Sequence, residues 1–243
     1  MPVLFKKRLS FRILPVFVVL FCSGVLLHSQ VTDYRKIFGS DWEKAEEFVS
    51  DNEKWMRQMA GRFNIPYRNA VAIVFPELIR YSALRDRMEL ALLKSLYINL
   101  GDEYANFSVG RFQMKPSFAE AINLNVIVLK GRLSRFFPQQ EESSPGWKYR
   151  ASIVGYLENT QSQFLYLLAF MKICETKFDL SVMNEEEKVT FLSAAYNFSF
   201  QKSFTEVNSM AGRKFFSTKL VTTEYYSYSD ISLFWYRLHN GER

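Results

Sequence analysis

The sequence predicts a mostly α-helical protein with minimal β structure, folded as a single domain behind an amino-terminal signal segment. Apolar residues recur at helical spacing along most of the domain, as in helices that bury one face. Long alternating runs that would indicate strands are absent, and the hydrophobic fraction of 48% in 243 residues suits a sizeable core. Several residue pairs also have the pattern of a helix capping box. These pairs are Ser40 with Glu43, Ser117 with Glu120, Thr160 with Gln163, and Asn184 with Glu187.

Residues 1–30 have the features of a secretory signal peptide. Basic residues precede the apolar run Ile13–Leu27, and the chain turns polar at His28. A basic head, an apolar stretch of about 15 residues and a polar or small-residue end are typical of such a segment. Because a membrane span needs about 20 residues, we expect cleavage near Ser29 or Gln30 and export of residues 31–243. An uncleaved membrane anchor is the alternative.

Charge and cysteine content argue against several classes of protein. The formal net charge is +6, but residues 1–30 hold four of the 31 basic residues and none of the 25 acidic ones. The mature domain therefore carries 27 minus 25, or +2, which does not predict nucleic-acid binding. Cys174 is then the only cysteine, so an intramolecular disulfide is not expected, and its apolar neighbours indicate a buried thiol. Two histidines do not suggest a metal site, and nothing indicates a cofactor.

Two long helices are predicted in the first half of the domain. The first covers residues 41–63, where apolar residues recur at helical spacing. The second begins at Pro66, since proline is favoured at the first helical position, and it continues to a stop at Gly101. Pro76 lies inside this helix, where it should cause a kink or a restart. Residues 104–115 lack helical period, so we expect an extended loop or a small hairpin there.

Shorter helices are predicted in the second half. One begins at Ser117, and residues 130–148 are rich in proline, serine and charge, which predicts a solvated loop. The helix after Thr160 is apolar on nearly every side, so we expect it in the middle of the core. The helix after Asn184 has an acidic first turn, which suits the positive end of the helix dipole. The aromatic tail ends in a short helix after Ser229, with most of its rings in the core.

Glu77 stands within an apolar stretch of the second predicted helix. Burial disfavours the charged form of a carboxyl group and raises its pKa, and a carboxylic acid that is still protonated near neutral pH can act as a general acid. The alternative is that Glu77 lies on a solvated stripe and forms an ordinary helical ion pair with Arg80, three residues on.

Three fragments stand in order along the chain. Glu77 lies in a helix, residues 108–116 (SVGRFQMKP) lie in a loop, and residues 194–197 (AAYN) lie at the end of a later helix. Together they resemble the soluble lytic transglycosylase domain, a branch of the lysozyme-like superfamily that cleaves bacterial peptidoglycan. That family has a helical catalytic glutamate, a loop of the form Ser-x-Gly-Leu-Met-Gln-x-x-Pro, and a helix that ends Ala-Tyr-Asn-Ala-Gly. The resemblance covers residues 66–200.

The resemblance implies a lysozyme-like fold and a role for each matching residue. Glu77 corresponds to the catalytic acid and base of the family. Ser108 and Gln113 correspond to substrate-contacting residues of the loop, and Tyr196 and Asn197 to the motif that closes the cleft beside the acid. A local turn bond for Ser108, solvent exposure for Gln113 and core packing for Tyr196 are the alternatives.

Several positions depart from the family pattern. Leu78 follows the glutamate where relatives have serine, and Phe198-Ser199 replace Ala-Gly. The gap before the loop is longer, and we expect residues 82–100 to fill it with an additional helical stretch. Arg111 and Phe112 replace Leu-Met, and we expect Arg111 to face the cleft and to contact an acidic group of peptidoglycan. The chain thus resembles a divergent branch of the family.

The resemblance also implies a reaction that needs one carboxyl group. Most glycosidases use two, whereas lytic transglycosylases use the N-acetyl group of the sugar as internal nucleophile. Glu77 would cleave the bond between N-acetylmuramic acid and N-acetylglucosamine and leave a 1,6-anhydro end. Peptidoglycan glycan strands, in the bacterial periplasm or cell envelope, are the expected partner. A non-catalytic peptidoglycan-binding or envelope-assembly protein is one alternative. The other is a hydrolytic lysozyme-type muramidase, with a second carboxylate from Asp86, Glu89, Asp102 or Glu103.

Overall fold

Helices dominate the computed structural model, which describes residues 32–83, 87–105, 107–128, 134–139, 145–218 and 224–241. The predicted signal peptide, residues 1–30, lies outside these residues. The helices are α1 (Tyr34–Phe38), α2 (Ser40–Arg62), α3 (Tyr67–Ala83), α4 (Arg87–Leu100), α5 (Pro116–Val128), α6 (Gly146–Glu158), α7 (Thr160–Lys177), α8 (Glu185–Asn197), α9 (Phe204–Met210) and α10 (Tyr228–Asn240). Two short antiparallel strands, β1 (Lys214–Phe216) and β2 (Tyr226–Ser227), pair with each other. The prediction of a mostly α domain with minimal β structure is confirmed.

Helix α3 forms the centre of the core. Its residues from Ala70 to Phe75 are all buried, and α2, α8 and α10 pack around it. Helix α7 is the second buried helix and contacts α2, α3, α5, α6 and α8. It is covered on nearly every side, as its sequence predicts, and Cys174 is a buried thiol within it.

One of the predicted capping boxes is confirmed. At the start of α8 the side chain of Asn184 accepts a hydrogen bond from the backbone N–H of Glu187, and the Glu187 carboxylate accepts one from the N–H of Asn184. This reciprocal pair satisfies two backbone donors that the helix itself leaves free. The sequence pattern therefore identified the start of α8.

The other three capping boxes are wrong, because each proposed cap is already a helical residue. Helix α2 begins at Ser40 itself, behind Gly39 in a left-handed conformation (φ 49°). Helix α5 begins at Pro116, so Ser117 lies in its first turn. Helix α7 is capped by Asn159, whose side chain accepts from the N–H of Ser162. A serine or threonine that lies inside the first turn cannot cap the helix, so its side chain is available for other contacts.

The long helix predicted from Pro66 to Gly101 corresponds to two helices, α3 and α4. Residues 84–86, between them, lie outside the described part of the chain. Pro76 lies inside α3, and the helix continues through it to Ala83 without a restart. Proline cannot donate a backbone hydrogen bond, so the carbonyl of Ala72, four residues earlier, loses its helical donor. The next carbonyl, that of Ile73, accepts a hydrogen bond from the hydroxyl of Tyr228 at 3.0 Å.

The two predicted loops differ in outcome. The described residues between 104 and 115 are not helical, and an isolated antiparallel bridge between Val109 and Met114 makes a small hairpin, one of the two forms that the sequence predicts. The solvated loop predicted over residues 130–148 is too long, because α6 begins at Gly146 and a single 3-10 turn occupies Ser134–Phe136. The rest of that stretch lies largely outside the described residues.

The aromatic tail packs into the core, as predicted. The helix predicted after Ser229 is α10. It begins slightly earlier, at Tyr228, and Ser227 is its N-cap. The ring of Trp235 stacks on Phe75 of α3, with 5.3 Å between the ring centres, and Phe216 of β1 is fully buried. Among the described helices, none is both long and apolar enough to cross a membrane.

Candidate functional site

Glu77 lies on the central helix with almost no exposed surface. Its relative exposure is 4%, and Phe75, Leu78 and Ile79 beside it are also buried. The helices α8 and α10 pack against α3 on this side, so the side chain is enclosed by protein. The prediction that this carboxyl group is buried is therefore confirmed.

A cleft of about 400 Å³ opens over Glu77. Four of the other residues predicted for the site line the same cleft: Ser108 and Gln113 from the loop, and Tyr196 and Asn197 from the end of α8. Three segments separated by about 30 and 80 residues of chain thus meet around one carboxyl group. The order of the motifs along the sequence did predict which residues come together.

The loop that carries Ser108 and Gln113 is a tight hairpin. Val109 and Met114 exchange two backbone hydrogen bonds of 2.8 and 3.1 Å. Between them, Gly110 (φ 69°) and Gln113 (φ 48°) have left-handed backbone conformations. The side-chain amide of Gln113 donates to the carbonyl of Gly110 at 2.8 Å, so it braces the hairpin while it lines the cleft.

Gln163 holds this hairpin against the core. Its side-chain oxygen accepts from the backbone N–H of Phe112 at 2.9 Å, and its amide donates to the carbonyls of Val109, at 2.9 Å, and Leu157. A Cβ atom at Gly110 would lie 1.7 Å from that amide nitrogen. The hairpin can approach α7 this closely only because position 110 has no side chain. The sequence predicted that Gln163 belongs to a helix cap. The structure instead buries its side chain, which bonds to the hairpin.

Tyr196 connects α8 to the hairpin. Its hydroxyl donates to the carbonyl of Phe112 at 2.8 Å, and its ring packs edge-on against Phe118 and Phe170. The half-buried ring therefore forms one wall of the cleft and fixes the loop opposite it. Its position supports the predicted role of closing the cleft beside Glu77, and core packing contributes as well.

Glu77 is both buried and ion-paired. One guanidinium nitrogen of Arg80, Nη1, lies 2.9 Å from each carboxylate oxygen of Glu77. Burial raises the pKa of Glu77 above its ordinary value, and the charge and hydrogen bond of Arg80, together with the charge of Lys115, lower it by less. The two interpretations of the sequence, an acid with a raised pKa and a helical ion pair, therefore hold at the same time.

Two tyrosines share the surroundings of Glu77. Burial raises the pKa of Tyr196 and of Tyr228 well above the usual value, and the negative charge of Glu77 raises both further. Both hydroxyls donate to backbone carbonyls. They remain neutral donors that hold the loop and the central helix.

Arg111 does not face the cleft, so that prediction is wrong. It is exposed, and its guanidinium lies 4.5 Å from the ring centre of Tyr81 and 5.1 Å from that of Phe48. Aromatic faces attract cations, and neither Arg111 nor these two rings are among the residues that line the cleft. The loop position alone could not distinguish the two sides.

The sequence predicted no part in the cleft for Lys115 and Arg80, and it suggested Asp102 only for the hydrolytic alternative. Lys115 and Asp102 line the cleft, and Lys115 belongs to the loop motif but was not assigned a role. Arg80 also lines it and was considered only as a helical partner. Their residue types offered no signal, because surface lysine, arginine and aspartate are common. In the described residues no group of three or more His, Cys, Asp or Glu side chains could hold a metal ion.

Glu120 provides a useful contrast outside the cleft. Burial also raises the pKa of this carboxyl group, while the hydrogen bond from Tyr97 lowers it. The residue is partly buried on α5 and does not line the cleft. A raised pKa alone therefore does not identify the site, whereas its combination with the cleft and the converging motifs does.

Comparison with known proteins adds no further assignment. A scan of protein-family models and searches of curated proteins and of solved structures find no match for this chain. The motifs and the geometry of the cleft are therefore the basis on which a function can be proposed.

Proposed function

We propose that the protein is an exported peptidoglycan lytic transglycosylase with a lysozyme-like fold and Glu77 as its general acid and base. One observation carries the proposal: a buried carboxyl group with a raised pKa lies under a cleft lined by four of the five loop and helix-end residues that the sequence predicts for the site. A cleft of about 400 Å³ has room for parts of a sugar chain.

The reaction uses the carboxyl group of Glu77 twice, first as an acid and then as a base. In the first step the carboxylic acid donates its proton to the glycosidic oxygen as the bond to C1 of N-acetylmuramic acid breaks, and the oxygen of the sugar's own N-acetyl group attacks C1. In the second step the 6-hydroxyl attacks C1 and displaces that oxygen, while the Glu77 carboxylate accepts the hydroxyl proton. The base needed in the second step is the one that the first step creates.

The decisive experiment is release of fragments from purified peptidoglycan by the mature protein and by Glu77→Gln. Glutamine has nearly the same volume but cannot deliver a proton, and loss of a general acid typically costs about a hundredfold to ten-thousandfold in rate. The matched control is Glu120→Gln, which changes a partly buried glutamate outside the cleft and should retain activity. Equal release by wild type and Glu77→Gln, with both folded, would contradict the proposal.

The products distinguish the transglycosylase from a hydrolase. Mass spectrometry should find 1,6-anhydro ends, whereas a muramidase leaves reducing ends. Wild-type protein that sediments with sacculi but releases nothing would favour a non-catalytic peptidoglycan-binding or envelope-assembly protein.

A lysozyme-type muramidase is the second candidate, and the position of Asp102 favours it. Hydrolysis requires a second carboxylate, and Asp102 lines the cleft. Of the other candidates for that role, Glu103 is exposed and does not line the cleft, Asp86 lies outside the described residues, and the side chain of Glu89 is not described. If the enzyme hydrolyses, Asp102→Asn should abolish formation of reducing ends. If it is a transglycosylase, the variant should still form anhydro ends.

A further inference from the structure

Arg80 connects Glu77 to the carboxyl-terminal part of the chain. Its Nη1 lies 2.9 Å from both oxygens of Glu77, and its guanidinium carbon lies 4.5 Å from the ring centre of Phe216. Phe216 belongs to β1, more than 130 residues away along the sequence and beyond the end of the lytic transglycosylase resemblance. The central acid therefore has a support that the motif pattern does not contain.

The Phe216 ring is itself fixed in place. It is fully buried, and it packs edge-on against Phe38 of α1 and Tyr228 of α10, with ring centres 5.8 and 5.9 Å apart. Tyr228 in turn donates to the carbonyl of Ile73 on the helix that carries Glu77. A cation on this ring has little freedom to move away from the carboxylate.

This ion pair differs from an exposed helical pair. Only 26% of the Arg80 side chain and 5% of the Glu77 side chain are exposed, so water screens the attraction poorly. Removal of one partner from a buried pair leaves a charge without compensation. A buried carboxyl group can avoid that cost by keeping its proton, which makes its protonation depend on Arg80.

We propose that Arg80, held against the ring of Phe216, is a positioning residue that fixes the orientation of the Glu77 carboxyl group and stabilises the carboxylate after it has given up its proton. The inference rests on the proposed function and specifies how the same site regenerates its base. The other titratable or charged groups that face Glu77 are Lys115 of the hairpin, Tyr196 of α8 and Tyr228 of α10. Arg80 lowers the pKa of Glu77 more than Lys115 does.

The test measures the titration of Glu77 directly, without substrate. Protein with ¹³C-labelled glutamate side chains is titrated by NMR, and the Glu77 signal is identified by its absence in Glu77→Gln. In Arg80→Gln the midpoint should rise by about one to three pH units, since an opposite charge at this distance lowers a carboxyl pKa by that amount. Arg80→Lys keeps the positive charge, so its Glu77 midpoint should stay close to that of wild type.

Two further variants separate positioning from general packing. Phe216→Leu keeps an apolar side chain but removes the ring, and it should move the midpoint in the same direction as Arg80→Gln by a smaller amount. Arg111→Gln is the matched control, because Arg111 also stacks on aromatic rings of this region but does not contact Glu77. It should leave the titration unchanged.

Each outcome bears on one proposal or the other. A Glu77 midpoint that is the same in wild type, Arg80→Gln and Phe216→Leu would overturn the role of Arg80, even if peptidoglycan is cleaved. A shifted midpoint in protein that cleaves nothing supports the control of Glu77 by Arg80 and contradicts the proposed function.

If Arg80→Gln does not fold, Arg80→Lys and Phe216→Leu decide: an unmoved midpoint in Phe216→Leu overturns the proposal. In active protein the alkaline limit of the activity profile should move with the midpoint.

Discussion

At the scale of single residues, Glu77 combines two features that are usually treated as alternatives. Burial favours the protonated form, and the guanidinium of Arg80 favours the carboxylate. A group under both influences can hold a proton and also release it at moderate cost. An acid that must later serve as a base needs this balance, which neither burial nor an ion pair provides alone.

The raised pKa of Glu77 predicts a specific dependence of stability on pH. Below the ordinary value of 4.5 the group is protonated in both the folded and the unfolded chain. As the pH rises above 4.5 through the higher folded pKa, the unfolded chain loses its proton more readily, so this contribution to the free energy of unfolding is lost. In urea unfolding at several pH values, the stability of wild type relative to Glu77→Gln should therefore fall as the pH rises.

Glu185 offers a control of opposite sign. The hydrogen bond from Lys188, and then that from Asn69, hold the pKa of this carboxyl group below its usual value. The stability of wild type relative to Glu185→Gln should thus fall as the pH is lowered through that pKa. Parallel curves for wild type and Glu77→Gln would contradict the raised pKa of Glu77.

Lys115 is predicted to bind an acidic group of the substrate, the role that the sequence suggested for Arg111. It is exposed, lines the cleft and forms no ion pair with a described residue. A charge-assisted contact contributes about 1.5 to 3 kcal/mol, so Lys115→Gln should weaken binding of a muropeptide about tenfold to 150-fold. Calorimetry in the Glu77→Gln background avoids turnover during the measurement.

Two controls make the Lys115 experiment specific. A muropeptide whose carboxylates are amidated should bind wild type and Lys115→Gln alike. Arg111→Gln should bind the acidic muropeptide as well as its parent does, because Arg111 packs on Phe48 and Tyr81 outside the cleft. Equal affinity of Lys115→Gln and its parent for the acidic ligand would remove Lys115 from the site.

At the scale of elements, the hairpin over the cleft is held from two sides. Gln163 of α7 bonds to Val109 and Phe112 from the core, and Tyr196 of α8 bonds to Phe112 from the cleft wall. The hairpin itself has only one short pair of ladder bonds. A loop with so few bonds of its own is kept in one conformation mainly by these contacts with its neighbours.

The contribution of Gln163 can be measured by Gln163→Met. Methionine has a similar length but leaves the N–H of Phe112 without its partner, and a buried unsatisfied group costs about 1 to 3 kcal/mol. Urea unfolding should show at least that loss of stability. Gln161→Met is the matched control, because Gln161 is exposed in the first turn of the same helix and should change stability by less than about 0.5 kcal/mol. A difference between the two variants that is close to zero would rule out the bracing role.

At the scale of the whole molecule, the aromatic tail packs against the helices that form the cleft. Helix α10 packs against both α3 and α8, which carry the acid and the wall of the cleft. The tail also supplies Phe216 behind Arg80 and Tyr228 behind the central helix. The resemblance to lytic transglycosylases ends before these residues, so the tail is where this chain provides support of its own.

Export is the prediction that concerns the whole chain. The basic head and the polarity change near His28 predict that the mature protein begins near Val31, and the compact unit of the structure begins at Asp33. Amino-terminal sequencing of protein from the native cell envelope should find a new terminus at that position. Recovery of intact Met1 with membrane retention would support an anchor in place of a cleaved signal.

The sequence by itself determined the helical character of the domain, the capped start of α8, the hairpin within residues 107–115 and five of the residues that line the cleft. These follow from hydrophobic period, local hydrogen bonds and glycine conformations, which act over a few neighbouring residues. The motifs added the order in which the site segments occur. Such patterns are visible in a single chain because each is complete within one short segment.

Tertiary structure alone decided the roles of three further side chains around the site. Gln163, read as a helix cap, braces the hairpin; Arg111 stacks on aromatic rings; and Phe216 supports the arginine that faces Glu77. Each of these contacts joins residues that are far apart in sequence, and each depends on burial and on which faces of the helices meet. Since burial changes the free energy of charges and hydrogen bonds far more than local sequence does, these roles exist only once the helices have packed.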